Sequence, residues 1–300
     1  KRHPIDFDVT LGAKSDGTLV AMHVEALGDA GCYINMSPPV MYKTATLGPG
    51  PYKVEHVDYN AVAVLTNNPH TGSMRGFGTP QAIFALENAM DELAAKLGMT
   101  PTALRRKNLL GNGDVSPCGH KLDFHEVSIR SVMEKAAEAL DFDRKYEQYT
   151  KENQDPNRRI RRGVGISVSM RGASVGADGN GFDYSRALIE VEEDGSVHVN
   201  IGLVDLGQGL RTCQGMMAAD MMGVTFDRIT MGETDTSRSP STGACIASRG
   251  TFVGGAAIKS ACDRIHAIIA QALQIHYGKS VSDIQFSNNR VTFGEGDIPF

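Results

Sequence analysis

The sequence predicts an α+β fold, mixed sheets with packed helices in two lobes, and three observations carry that expectation. Two hairpin signals centred on Asp-Gly turns lie far apart in the chain. Helical segments follow each of them, the first strongly periodic. The length of 300 residues, 41% of them hydrophobic, exceeds what one core usually holds, since cores tend to split at about 250–300 residues.

Taken in order, Ile5, Phe7, Val9 and Leu11 alternate with polar residues, Asp16-Gly17 turns the chain, and Val20, Met22, Val24 and Ala26 resume the alternation. Thr79 is expected to cap a helix with Pro80 at its first position. Ile83, Leu86, Met90, Leu93 and Leu97 then recur at helical spacing until Gly98. Thr100-Pro101 starts a shorter helix ending near Leu110, and Val127 to Leu140 reads as a third. Few residues between Arg144 and Gly163 could enter a core, so 144–162 is expected to be a charged connection between lobes 1–150 and 163–300. The second lobe is read as a strand "GVGISVSM", a glycine-rich loop, a hairpin about Asp194-Gly195, a helix from about Leu210 to Gly223, and a long helix from about Phe252 to His276. The shared turn type hints at two similar lobes.

Composition narrows the function. A net charge of −5 with 22% charged residues provides no basic stripe for nucleic acid. No apolar run approaches the ~18 residues a membrane span needs. Five dispersed cysteines, with no Cys-x-x-Cys, argue against a disulfide framework and for a reducing, cytoplasmic setting. The opening "KRHPIDF" is neither a signal peptide nor a start methionine, so the chain reads as a piece of something longer. Nine scattered histidines without HExxH make a protein zinc site an unsuitable reading, and GxxxxGK[ST] and GxGxxG are both missing.

What remains are three loops of one type, "GSMRGFG", "VDLGQGLRT" and "STGACIASRGT", each rich in small residues and each placed before a helix. Such loops are expected to aim backbone N–H groups and the positive end of a helix at a ligand.

Five segments, "RHP" at the start, "RGFGTPQ" at 75–81, "RRKNL" at 105–109, "LGQGL" at 206–210 and the "ETDT…ASRGT…GG" stretch at 233–255, occur in the order found in the molybdenum hydroxylases. The chain thus resembles the molybdopterin-binding large subunit of the xanthine dehydrogenase and aldehyde oxidoreductase group. The likeness covers nearly the whole chain, and it implies a molybdenum–molybdopterin cofactor, possibly as a dinucleotide, with iron–sulfur clusters and FAD on other domains or subunits. Carried over by position, it puts Arg75 and Gly76 beside the metal centre and stacks Phe77 on a flat substrate. Gly207, Gln208 and Gly209, with Ala247, Ser248 and Thr251, would hold the cofactor, Gln208 through a carboxamide that both donates and accepts.

Lys43 matches a position where purine-specific members carry a substrate-holding arginine. A lysine keeps the charge but loses the planar fork. The loop Met170–Phe182 corresponds to a segment that usually supplies a second aromatic, which "MRGASVGADGNGF" replaces with small residues. The implied reaction is hydroxylation of a heteroaromatic, purine-like substrate with water as oxygen source, or oxidation of an aldehyde. The family's base is a glutamate in a Gly-Glu motif well downstream, which "FGEGDIPF" does not match, so no catalytic residue and no metal ligand is assigned here. A split subunit or scaffold, inactive by itself and completed by other segments or subunits, is the non-catalytic alternative. The absence of a cysteine before Arg75 favours the xanthine dehydrogenase type over the carbon monoxide dehydrogenase type.

Overall fold

Asp16-Gly17 reverses the chain as expected: Gly17 takes φ +86° and the Asp16 carboxylate accepts from the N–H of Thr18 at 3.0 Å. Strand β1 (Ile5–Ala13) therefore pairs antiparallel with β2 (Leu19–Gly31). This computed structural model describes residues 1–123, 126–172, 183–278, 283–294 and 296–300. The chain divides into two units, Lys1–Arg171 and Gly172–Phe300.

In the first unit β2 also pairs parallel with β3 (His56–Leu65), after a crossover through α1 (Ser37–Leu47) that the sequence reading did not anticipate. Alternation along β2 buries Met22, Val24 and Ala26 on one face. The long helix α2 (Thr79–Leu97) lays Leu86, Met90 and Ala94 on Met22 and Val24. Each fully buried Leu or Met side chain stabilises the unit by about 1.5–3 kcal/mol. Gly98, in the left-handed conformation, ends α2. Helix α3 (Pro101–Asn108) begins on Thr100, whose hydroxyl accepts from the N–H of Ala103 at 3.2 Å.

"RRKNL" turns out to be structural. Arg105 is wholly buried and donates to Glu87 at 3.0 Å and Asp91 at 2.6 Å. Asn108 holds the first hairpin through the carbonyl of Gly17 at 2.8 Å and the N–H of Leu19 at 2.9 Å.

Two expectations shift. Helix α4 (Ile129–Leu140) forms where the third helix was expected, but α5 (Phe142–Glu152) carries regular structure into the stretch read as a charged connection, because Phe142 anchors it by burying completely. The segment Gly163–Met170 is not a strand and does not open the second unit. Its alternating apolar residues bury Val168 in the first unit's core, and the Val168 N–H donates to the Glu87 carboxylate at 2.8 Å instead of to a strand edge.

The second unit repeats the first unit's topology. Strands β4 (Ala187–Val191) and β5 (Val197–Ile201) form an antiparallel hairpin, and β6 (Ile229–Met231) pairs parallel with β5. Helices α6 (Leu210–Met222) and α7 (Arg249–Tyr277) close the core of Val197, Val199, Leu210, Met222, Ile258 and Cys262. An unanticipated meander, β7 (Ile284–Ser287), β8 (Arg290–Phe293) and β9 (Gly296–Pro299), packs Val291 and Phe293 on Leu273 of α7. Among the described residues no helix is long and apolar enough to cross a membrane.

Candidate functional site

In the first unit, "RHP" and "RGFGTPQ" meet in space. The Arg2 guanidinium donates to the carbonyl of Arg75 at 2.7 Å and to Gln81 at 3.3 Å, and the Gln81 carboxamide donates to the carbonyl of His3 at 3.0 Å. The loop they frame holds three successive residues at positive φ: Gly76 at +99°, Phe77 at +51° and Gly78 at +91°. Packing dictates both glycines. A Cβ at Gly76 would stand 2.2 Å from Pro80, and one at Gly78 would stand 2.6 Å from the carbonyl of Val40.

Phe77 has no such excuse, and the left-handed region costs a phenylalanine about 1–2 kcal/mol. It is half-buried rather than a core residue. Arg75 is exposed, and Lys43, on the α1 turn that packs over Gly78, is half-buried with its ammonium 6.0 Å from the Tyr42 ring centre.

Thr79 does not cap α2. The positive φ of Gly78 makes that residue the cap position, so Thr79 is already helical. Its hydroxyl oxygen is buried without a hydrogen-bond partner among the described residues.

In the second unit the loop before α6 is not the open amide cradle the sequence suggested. The Asp205 carboxylate fills it, accepting from the N–H groups of Gly207 at 2.8 Å, Gly209 at 3.3 Å and Arg211 at 3.1 Å. Those N–H groups, Arg211's first, hold the Asp205 carboxyl below the usual carboxylate range. An internal anion therefore already answers the positive end of α6.

Gln208 is exposed. Its Oε1 accepts from the N–H of Leu206 at 2.5 Å, while its Nε2 reaches the carbonyl of Val204 at 3.4 Å and the Cys245 sulfur at 4.0 Å. The Cys245 thiol donates to Val204 at 3.2 Å, so the second and third loops touch within this unit. Burial pushes that thiol's pKa up, which keeps it protonated as a donor.

At the third loop Ala247 and Ser248 are both left-handed, at φ +52° and +62°. Ser248 occupies the cap position of α7, yet its side chain makes no capping bond. Thr251 is exposed in the first turn. Beneath them Arg249 is 1% exposed and donates to Asp183 at 3.0 Å and to the carbonyls of Ala244, Tyr184 and Thr242 at 2.5, 2.5 and 3.1 Å.

Phe77 and Lys43 thus belong to the first unit, and Gln208, Ala247, Ser248 and Thr251 to the second. Most of the Met170–Phe182 segment lies outside the described residues, as does Glu295 of "FGEGDIPF". Asp205, Cys245 and Arg249 escaped the sequence reading. An acidic residue two positions before Gly-x-Gly at a helix start was the available signal for Asp205. Among the described residues no three His, Cys, Asp or Glu side chains cluster around a point suited to a metal ion. The loops offer amides, hydroxyls and a carboxamide instead, donors and acceptors suited to an organic ligand.

Comparison with known proteins gives the family. The chain matches molybdopterin cofactor-binding domain families over residues 1–109 and 135–300. It is 33% identical to an aldehyde oxidoreductase of Megalodesulfovibrio gigas over 88% of this chain and 28% of that protein. It is 28% identical to a xanthine dehydrogenase molybdenum-binding subunit of Escherichia coli O157:H7 over 87% of this chain and 34% of that protein. The carbon monoxide dehydrogenase of Oligotropha carboxidovorans shares the fold with a TM-score of 0.84 at 23% identity, over 98% of this chain and 39% of its own. The chain spans well under half the length of each of these relatives. It belongs to the molybdopterin cofactor-binding domains of the molybdenum hydroxylase family.

Proposed function

We propose that this chain forms part of a molybdenum hydroxylase that inserts oxygen from water into a heteroaromatic, purine-like substrate. One observation carries the reading. Among the described residues, seven that are not glycine take positive φ, and three of them, Phe77, Ala247 and Ser248, are positions to which the family likeness assigns substrate or cofactor. Backbone strain of about 1–3 kcal/mol per residue persists only where the surrounding structure over-determines it, and such residues cluster at active sites and ligand clamps.

The residues fit the cofactor. The Ser248 hydroxyl has no capping duty. A Cβ built at Gly207 or Gly209 meets no atom within 4 Å, leaving room over that loop. The Gln208 Nε2 has only long contacts, at 3.4 and 4.0 Å. Gln208 would hold the hydrogen-bonding edge of the pterin, while Ala247, Ser248 and Thr251 offer amides and hydroxyls to its phosphate. Gly207 and Gly209 let the ligand approach the backbone. When bound, the cofactor supplies the two-electron oxidation that hydroxylation requires.

Phe77 presents a ring face to a flat substrate, contributing roughly 1 kcal/mol of orientation-dependent contact. Arg75 and Gly76 would border the reacting centre. Lys43 attracts an anionic or carbonyl-bearing substrate edge. The carboxylate that accepts the reaction's proton, the iron–sulfur clusters and the FAD belong to other segments or subunits, and the assembly works in the cytoplasm.

Oxidation of an aldehyde is the second reading, favoured by the 33% identity to the aldehyde oxidoreductase. Steady-state kinetics of Phe77→Leu in the native complex separates the two. A KM raised about threefold or more for a purine-like ring, with aldehyde turnover unchanged, supports the first reading. Equal kinetics on both substrates removes Phe77 from substrate binding. Metal and pterin analysis of the same preparation tests cofactor retention, and a preparation devoid of both supports a scaffold.

A further inference from the structure

The stretch Val204–Gly209 is exposed throughout, and no side chain packs over Gly207 or Gly209. Burial therefore does not hold this loop in its conformation. Polar contacts do. At one end the Cys245 thiol binds the carbonyl of Val204 at 3.2 Å. At the other, the Arg211 guanidinium clamps the carbonyls of Met231 at 2.5 Å and Gly232 at 3.0 Å and the carboxylate of Glu233 at 3.1 Å. Between these ends stands a single carboxylate, Asp205, which gathers the N–H groups of Gly207, Gly209 and Arg211.

Left-handed φ values of +98° at Gly207 and +78° at Gly209 allow N–H groups on both sides of Gln208 to turn inward to one anion, the geometry of a backbone nest. The same curvature folds the Gln208 carboxamide back beside Leu206 and Val204. Its oxygen is engaged at 2.5 Å and its nitrogen only at 3.4 Å or beyond. The side chain is thus directed by the loop while its donor end stays loosely held.

We infer that Asp205 is the positioning residue of this site: by filling the nest at the start of α6, it fixes the loop that presents Gln208 to the cofactor. The inference rests on the reading that Gln208 holds the cofactor. It also divides the labour between the two loops of the second unit. With its donors turned onto Asp205, the α6 loop recognises a neutral hydrogen-bonding edge, and the anionic part of the ligand falls to the α7 loop. Charge-assisted bonds to backbone N–H are the strong kind, so their loss is expected to be felt by the bound ligand.

The test is a double-mutant cycle on the native molybdenum-containing complex. Bound pterin is measured by fluorescence after oxidative release and metal by elemental analysis, for Gln208→Ala, Asp205→Ala, Asp205→Asn and the Asp205→Ala/Gln208→Ala pair. Asp205→Ala is expected to lower pterin retention about tenfold. Asp205→Asn, which keeps one acceptor oxygen, is expected to lose less. The pair should be no worse than Gln208→Ala alone, because Asp205 acts through Gln208. A merely structural role would give independent, multiplying losses. Amide hydrogen exchange on Asp205→Asn, which retains most of the side chain's shape, reads the same point in folded protein, with Gly207 and Gly209 expected to exchange faster while the core of α6 stays protected.

Multiplying losses, or full retention in Asp205→Ala, would overturn the inference and leave the Gln208 reading intact. Full retention in Gln208→Ala removes that reading, and the inference with it.

Discussion

The starts of α6 and α7 are built from the same materials, small residues, glycines and one arginine, yet they end chemically opposite. Before α6 the loop's donors are satisfied by an acceptor from within, the Asp205 carboxylate. Before α7 the loop's acceptors are satisfied by a donor from within, the buried Arg249 guanidinium, which takes the carbonyls of Thr242 and Ala244 together with that of Tyr184. The first loop is left with a carboxamide to offer. The second is left with the Ser248 hydroxyl and an uncapped helix start. A backbone can thus be tuned toward neutral or anionic ligand groups by choosing which half of its hydrogen-bonding capacity is closed internally.

The comparison breaks most easily at Arg249. Replacing it with leucine removes an ion pair with Asp183 and the donor to three carbonyls, all made by a guanidinium whose side chain is 1% exposed. A loss of about 3 kcal/mol or more is expected in denaturant unfolding, and an unmoved midpoint would show that the guanidinium does not organise the loop.

A smaller effect is expected at Gly209. A methyl group there meets open space, but φ of +78° makes Gly209→Ala cost about 1–2 kcal/mol through the backbone alone. Calorimetry showing no loss would mean that the left-handed geometry is not needed.

Ser248→Gly sharpens the contrast because its two effects have opposite signs. Relief of the left-handed strain, offset by the freer unfolded chain, is expected to stabilise the fold by about 0.5 kcal/mol. Loss of the hydroxyl is expected to lower pterin content. Stability that drops instead would mark Ser248 as a structural cap.

The smallest effect is a pH dependence. Asp205 has its folded pKa depressed, chiefly by the N–H of Arg211, so its contribution is present above the unfolded value near 4 and is lost as pH falls through the lower folded value. Asp205→Asn should flatten the stability curve on the acid side of about pH 4. A curve identical to that of the unaltered protein would mean the carboxylate is not bound as described.

Much of the fold was legible because it depends on local chemistry. Asp16-Gly17 and Asp194-Gly195 dictate hairpins through a turn that needs positive φ, and the three- and four-residue spacing along α2 requires a helix with one buried face. Thr79 was misassigned as a cap because the conformation of Gly78, set by contact with Val40 and Thr44, moved the helix start by one residue. Gly163–Met170 was misassigned because alternation records half-burial without saying what the backbone binds, and here Val168 binds the Glu87 carboxylate. The loops' positions were readable from their order along the chain, but their hydrogen-bond polarity was not.

The sequence alone settled where this chain turns and where its long helices run, since both follow from residue type and near-neighbour spacing, and the order of its five motifs carried the resemblance to its family. Only the folded molecule decided that Asp205 closes one loop and Arg249 the other. For Arg249, which reaches Asp183 66 residues away, the reason is a pairing made between groups far apart in sequence. For Asp205, whose partners lie within six residues, it is the left-handed turn at two glycines, a choice of backbone geometry that composition permits but does not specify.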